Sequence, residues 1–212
     1  MIHIVDYGCG NLASIANMLT KIRVPSRIVS DPGELAVATK IILPGVGTFD
    51  SGMRGIREHG LRSVLDRKAL EEKVPVLGIC LGAQLMTSGS DEGAEPGLSW
   101  LTARTVRFDF AAAGVKALPL PNIGWRDVAF PNGEADMSAS HDEGRMRFYF
   151  VHKYHFAAES QLVWMRSTYG YSFASALRRH NLYSVQFHPE KSHRFGKQLL
   201  SWFSALPSGA KR

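Results

Sequence analysis

At 212 residues, with 45% hydrophobic and 21% charged residues, the chain has the composition of a single ordinary globular domain over 1–212, which excludes disorder as its main state. Its net charge of +6 comes from basic residues scattered along the sequence rather than gathered in stripes with aromatics, which argues against a nucleic-acid partner. No apolar run approaches the about 20 residues of a membrane span, no secretory signal is visible, and two cysteines cannot frame a disulfide scaffold, so a cytoplasmic protein with no membrane contact is expected.

The chain opens with a β-branched strand over 2–6. A Gly-containing turn and an N-cap at Asn11 follow, leading into a helix with Leu12, Ile15, Leu19 and Ile22 on one face. A second strand is predicted over 27–29. Asp31, Pro32 and Glu34 then read as N-cap, first helical position and capping acid. A third strand over 40–43 runs into Pro44-Gly45-Val46-Gly47. Two helices are predicted over 49–58 and 61–70, and a buried strand over 75–79 leads directly into Cys80 and a short helix. This strand–helix alternation signals a mostly parallel sheet with helices on both faces. After a polar stretch at 89–97 the character changes: strands are expected over 106–110, 147–154, 162–167, 173–177 and 182–187, as added antiparallel strands. A closing helix over 195–206 presents Phe195, Leu199, Trp202 and Phe203. The expected class is α/β.

Gly78-Ile79-Cys80-Leu81-Gly82 stands where a buried strand turns into a helix. A nucleophile on such an elbow needs small neighbours, because its backbone is strained and closely packed. A helix starting just after it directs unpaired N–H groups at the sulfur and favours thiolate. A thiol nucleophile needs a base and an orienting group. His188 and Glu190, two apart at the end of a strand, offer both on one side of the chain. The other histidines read as structural, His152 less clearly than the rest. Cys9 reads as unreactive, and no spacing suggests a metal site. Gly45 and Gly47, bracketing Val46, free a peptide to aim an N–H at a developing oxyanion.

These residues together resemble the class I, triad-type glutamine amidotransferases, through Gly78 to Gly82 with Gln84 and through His188-Pro189-Glu190. Within that superfamily the chain is similar to the glutaminase subunits of imidazole glycerol phosphate synthase. The similarity runs through 6–12, 43–47, 123–125, 149–152 and 185–192, and so along nearly the whole chain. The resemblance implies a Cys80-His188-Glu190 triad acting on the side-chain amide of glutamine. It implies an oxyanion and substrate site of Gly45, Val46, Gly47, Leu81, Gln84, Lys153 and Tyr154, in which the Val46 peptide flips. It also implies ammonia transfer, without a cofactor, to a (β/α)8-barrel synthase subunit in a heterodimer, with Asn11, Trp125 and Lys191 facing that partner. The product pathway would be histidine biosynthesis.

Two positions depart from the family pattern. Asn122 stands where a histidine is usual, and Lys153 where a small hydroxyl residue is usual. Lys153 calls for a compensating acid, for which Asp136, Asp142 and Glu143 are candidates. The alternative acceptor is a surface-polysaccharide sugar, served by a second-copy glutaminase. A non-enzymatic binding subunit would be expected to lack one of the triad residues. A peptidase or γ-glutamyl hydrolase would have no need of the Pro-Gly-Val-Gly strand.

Overall fold

The structure, a computed structural model, describes residues 1–131 and 146–208. Its first half is strand and helix in alternation: β1 (Ile2–Val5), α1 (Leu12–Lys21), β2 (Ser26–Val29), α2 (Pro32–Ala36), β3 (Ile41–Leu43), α3 (Phe49–Glu58), α4 (Arg62–Asp66), β4 (Val76–Ile79) and α5 (Leu81–Leu85). The caps fall where the sequence puts them. The side chain of Asn11 accepts from Ser14 N, and that of Asp31 accepts from Glu34 N. The second helix expected over 61–70 is shorter than its apolar pattern, because after α4 the chain widens into a π-helical stretch, Arg67–Glu71.

The second half contains β5 (Ala103–Arg107), β6 (Asn122–Val128), β7 (Met146–His152), β8 (Tyr154–Ala158), β9 (Val163–Tyr169), β10 (Tyr171–Arg179), β11 (Leu182–Val185) and α6 (His193–Ala205). Among the described residues, nine strands form one sheet. Its path runs β2-β1-β3-β4-β11-β10-β8-β5, with β9 also on β10. The segment from β2 to β11 is parallel, and the rest is antiparallel. β6 and β7 pair antiparallel as a second, two-stranded sheet.

Alternate residues of the parallel strands enter two different cores, as the period-two geometry of a strand requires. Ile41, Leu43 and Val76 pack with Phe49, Leu65 and Leu85 on the side of α3, α4 and α5. Ile42, Leu77 and Ile79 pack with Ile15, Leu199 and Phe203 on the side of α1 and α6. None of the described helices is long and apolar enough to cross a membrane.

Three expectations are corrected. The strand expected over 106–110 is β5, which ends at Arg107. Phe108 leaves the ladder to meet His152, His155, Tyr171 and Phe173 in an aromatic cluster. The single strand expected over 147–154 is two strands in different sheets, β7 and β8, and the chain changes sheet at Lys153. β6 was not expected, because Pro121 stands directly before it and Gly124 interrupts its pattern; Gly124 takes a φ of 120°.

Sheet order decides where the chemistry lies. β3, β4 and β11 are neighbours, and their carboxyl ends lead into Pro44–Gly47, Cys80 and Gln186–Glu190 respectively. Open parallel sheets bind ligands at that edge.

Candidate active site

Cys80 sits between β4 and α5 with φ 52° and ψ −112°, a backbone region that costs an L-residue about 1–3 kcal/mol. The glycines around it answer to close packing. A Cβ on Gly82 would collide with the Leu43 carbonyl, and one on Gly78 would lie 2.7 Å from Ala83 Cα. The buried phenol of Tyr7 donates to the Pro44 carbonyl and leaves no room for a side chain at Gly45. The Pro-Gly-Val-Gly segment is therefore held against the elbow from below.

His188 Nδ1 and Glu190 Oε1 are 2.7 Å apart, both side chains almost fully buried. With the carboxylate on Nδ1, the free position of the imidazole is Nε2. That atom is buried without a hydrogen-bond partner, and the ring borders the same cavity as Cys80. Burial opposes a charged imidazole here, but Cys80 and Glu190 outweigh it and the pKa is pushed up to about 10. The backbone of His188 is fixed by donating to Tyr149 O at 2.9 Å, so β7 sets the height of the base.

The cavity, about 350 Å³, is lined by Val46, Gly47, Cys80, Leu81, Gln84, Lys153, Tyr154 and His188, all expected from the sequence, together with Glu92, Pro121, Val151 and His152. Gly45 lies behind it. The Gly45 carbonyl accepts from Leu81 N at 3.3 Å. Because the C=O and N–H of a trans peptide point in opposite directions, the Val46 N–H faces away from Leu81. Asp136, Asp142 and Glu143 lie outside the described residues. Among the described residues, the acid that shares the cavity with Lys153 is Glu92, whose Oε2 also accepts from Phe49 N at 2.9 Å. Within the polar stretch at 89–97 no motif marks Glu92 as a site residue.

The two departures fit the structure. Asn122 is fully buried, and its Nδ2 lies 2.9 Å from His152 Nε2. Its Oδ1 accepts from Arg126 Nε at 3.0 Å. His152 Nδ1 lies 2.7 Å from the Tyr154 carbonyl, which can only accept. His152 is therefore the Nδ1–H tautomer, and its Nε2 accepts a hydrogen bond from Asn122 Nδ2. Lys153 is the residue at which the chain passes from β7 to β8.

Burial lowers the pKa of His152 from 6.5 to about 3, and burial also lowers those of His3 and His155. A histidine with a depressed folded pKa leaves the native state with fewer protons than the unfolded chain, so stability falls as pH drops below the unfolded value. His152 alone should cost about 1.4 kcal/mol per pH unit between pH 6 and 4. His188, with its raised pKa, is protonated in both states there and adds nothing. Urea unfolding at several pH values should show this slope, and His152→Gln should flatten it. Equal slopes for the two proteins would rule out His152 as the source.

On the outer surface, Trp125 meets the edge of Tyr149 at 6.3 Å and stacks on His193 at 5.5 Å. Lys191 Nζ lies 5.8 Å from the centre of the same Tyr149 ring. Asn11 begins α1, which packs against the 189–191 turn. Trp125 and Lys191 thus border β7 and the His188 loop, Asn11 caps the helix packed on that loop, and the side chains of Val46 and Ile123 are exposed.

The family model described as glutamine amidotransferase class-I matches residues 3–205. A Methanococcus maripaludis protein named imidazole glycerol phosphate synthase subunit HisH 2 is 44% identical, covering 96% of this chain and 98% of its own. The subunit HisH of Bdellovibrio bacteriovorus is 42% identical over 97% of this chain and all of its own. Among solved structures, one titled glutamine amidotransferase superposes with a TM-score of 0.73 at 18% identity, covering 96% of this chain and 97% of its own. PurLQS from Thermotoga maritima superposes with a TM-score of 0.72 at 17% identity, covering 95% and 96%. At those identities the structural likeness speaks for the fold.

Proposed function

Because the chain belongs to the class-I glutamine amidotransferases, and within them to the HisH subunits of imidazole glycerol phosphate synthase, we propose that its 1–212 domain hydrolyses glutamine to glutamate and ammonia and delivers the ammonia to a (β/α)8-barrel synthase subunit. There the ammonia would be used to make imidazole glycerol phosphate and aminoimidazole carboxamide ribotide for histidine. The observation that carries this function is the convergence of a strained, helix-capping Cys80 with a buried His188–Glu190 pair at one cavity.

Cys80 Sγ attacks the side-chain amide carbon and the C=O electrons move onto oxygen. His188 Nε2 then gives its proton to the departing nitrogen as the C–N bond breaks, leaving a thioester on Cys80. Water, deprotonated by the same Nε2, adds to that thioester, and glutamate leaves with the thiol restored. Glu190 holds the ring so that Nε2 faces the reaction. Ammonia leaves towards the partner across a face bordered by Asn11, Trp125 and Lys191. No cofactor or metal is required by these steps.

The amino-acid end of glutamine carries one positive and one negative charge, and beyond the triad the described cavity lining offers one of each. Glu92 takes the ammonium and Lys153, with the backbone at Tyr154, takes the carboxylate. Gln84 holds the chain between. Glu92→Gln keeps the acceptor that caps α3 but removes the charge. It should raise KM for glutamine by about 10-fold with kcat little changed, the effect of weakening one charge-assisted hydrogen bond equally in ground and transition states. A drop in kcat with KM intact would place Glu92 elsewhere in the mechanism.

The test of the whole proposal is complementation. The chain and its cognate barrel are expressed in cells lacking this glutaminase subunit and plated without histidine, and growth is expected. Absence of growth, with soluble protein and glutaminase activity in extracts, would direct the ammonia to another acceptor such as a polysaccharide sugar, which the names of the relatives do not favour.

A further inference from the structure

One buried polar side chain at the site has no part in the mechanism above. Gln186 lies two residues before His188 on the segment leaving β11, so the two share a side of the extended chain. It is fully buried, and its backbone N–H is tied to Ser175 O at 2.9 Å. Its Oε1 accepts from Gln84 Nε2 at 3.0 Å. With Oε1 turned to that donor, the amide nitrogen is turned the other way, and Gln186 Nε2 stands 3.7 Å from Cys80 Sγ, a separation that the large sulfur atom accommodates.

We infer that Gln186 is a further catalytic residue of this site: its side-chain N–H donates to the Cys80 thiolate, and Gln84 orients it for that task. This rests on Cys80 being the nucleophile, as proposed above. A buried anion keeps its charge only where fixed dipoles replace water. Gln186 supplies such a dipole to the sulfur from the segment that also carries the base. His188 stabilises the thiolate only while protonated, so its contribution disappears once it hands its proton to the departing ammonia. The amide cannot give its proton away, and it therefore steadies the sulfur through every stage at which Cys80 is the leaving group or the nucleophile. Gln84 consequently has two neighbours, the substrate cavity that it lines and Gln186.

The experiment is the pH dependence of Cys80 alkylation by iodoacetamide in the full chain, followed by mass spectrometry of the Cys80 peptide so that Cys9 does not interfere. In Gln186→Met, which keeps the volume and removes the N–H, the alkylation midpoint should rise by about one to two pH units, the equivalent of one hydrogen bond to a charged group. Gln84→Met, which removes the orienting donor and leaves the Gln186 N–H in place, should give a smaller rise. Should Gln186→Met fail to fold, Gln186→Glu has the native shape and should raise the midpoint further, by placing a carboxylate against the sulfur. A midpoint unmoved or lowered in folded variants overturns the assignment. A lowered midpoint would mean that the amide pair is turned over and accepts from the thiol. The function itself is judged separately, by whether complete alkylation of Cys80 stops glutamine turnover.

Discussion

Cys80→Ala is expected to remove glutamine hydrolysis, by on the order of 10⁶-fold, while leaving a complex that still consumes free ammonia at an unchanged rate. The thiolate alone begins the covalent path, and ammonia enters after it. His188→Ala should be equally severe, because it removes the proton carrier whose Nε2 borders the cavity beside Cys80, and the nearby His152 cannot replace it, its Nε2 being already bonded to Asn122. Glu190→Gln should be milder, about 10⁴-fold, since an amide oxygen can still accept from Nδ1 but no longer offsets the imidazolium charge. Steady-state glutamate release, run beside synthesis from ammonium salts, measures all three. Sustained glutamine turnover by Cys80→Ala would remove the triad assignment altogether.

The parallel half of the fold was legible because its signals are local. Asn11 and Asp31 cap the helices they precede, α3 spans the predicted 49–58, and each apolar run of three to five residues is one strand. The antiparallel half was less so, because its apolar residues answer to two sheets at once. From 147 to 158 the periodicity is continuous, and nothing local marks Lys153 as the point where the chain leaves one sheet for another; the marker is tertiary, the Phe108 N–H donating to the Lys153 carbonyl at 3.3 Å. β6 escaped for the opposite reason. Its strand character comes from pairing with β7 over seven residues, against local signals at Pro121 and Gly124 that read as turn.

The candidate site divides in the same way. Cys80, His188 and Gly45 to Gly47 carry their roles in short motifs, since each needs a particular backbone or a partner two residues away. Glu92, His152 and Gln186 do not. Glu92 reaches the cavity by capping α3, a helix 43 positions earlier in sequence. His152 is fixed by Asn122 from across the β6–β7 pair, so the departure at 122 and the histidine at 152 form one unit that sequence spacing alone could not join.

The isolated chain is expected to be a poor glutaminase, accelerated by about 10²–10³ when a ligand-bound barrel partner docks. An oxyanion forming on the amide under attack needs donors, and an elbow of this kind provides the N–H of the residue after the nucleophile. Here that group, Leu81 N, is occupied by the Gly45 carbonyl, and the same peptide turns the Val46 N–H away. Loss of one oxyanion donor costs about 10²–10³ in rate, or roughly 3–4 kcal/mol. Turning over the Gly45–Val46 peptide would correct both faults together, freeing Leu81 N and presenting Val46 N. Glycine on either side, with Gly47 at a φ of 122°, keeps the two orientations close in energy. The exposed Val46 side chain, 45% accessible, gives a docked partner something to hold in one orientation and not the other, and a difference of that kind is what selects between two states. Gly47→Ala should therefore raise the slow basal turnover of the lone chain and shrink the acceleration, with the use of free ammonia intact, because alanine resists the φ found in the obstructing orientation. Glutamate release by the lone chain and the complex, each with and without Gly47→Ala, decides it. A lone chain as fast as the liganded complex would mean that the Gly45 carbonyl obstructs nothing, and that the oxyanion is met by other donors.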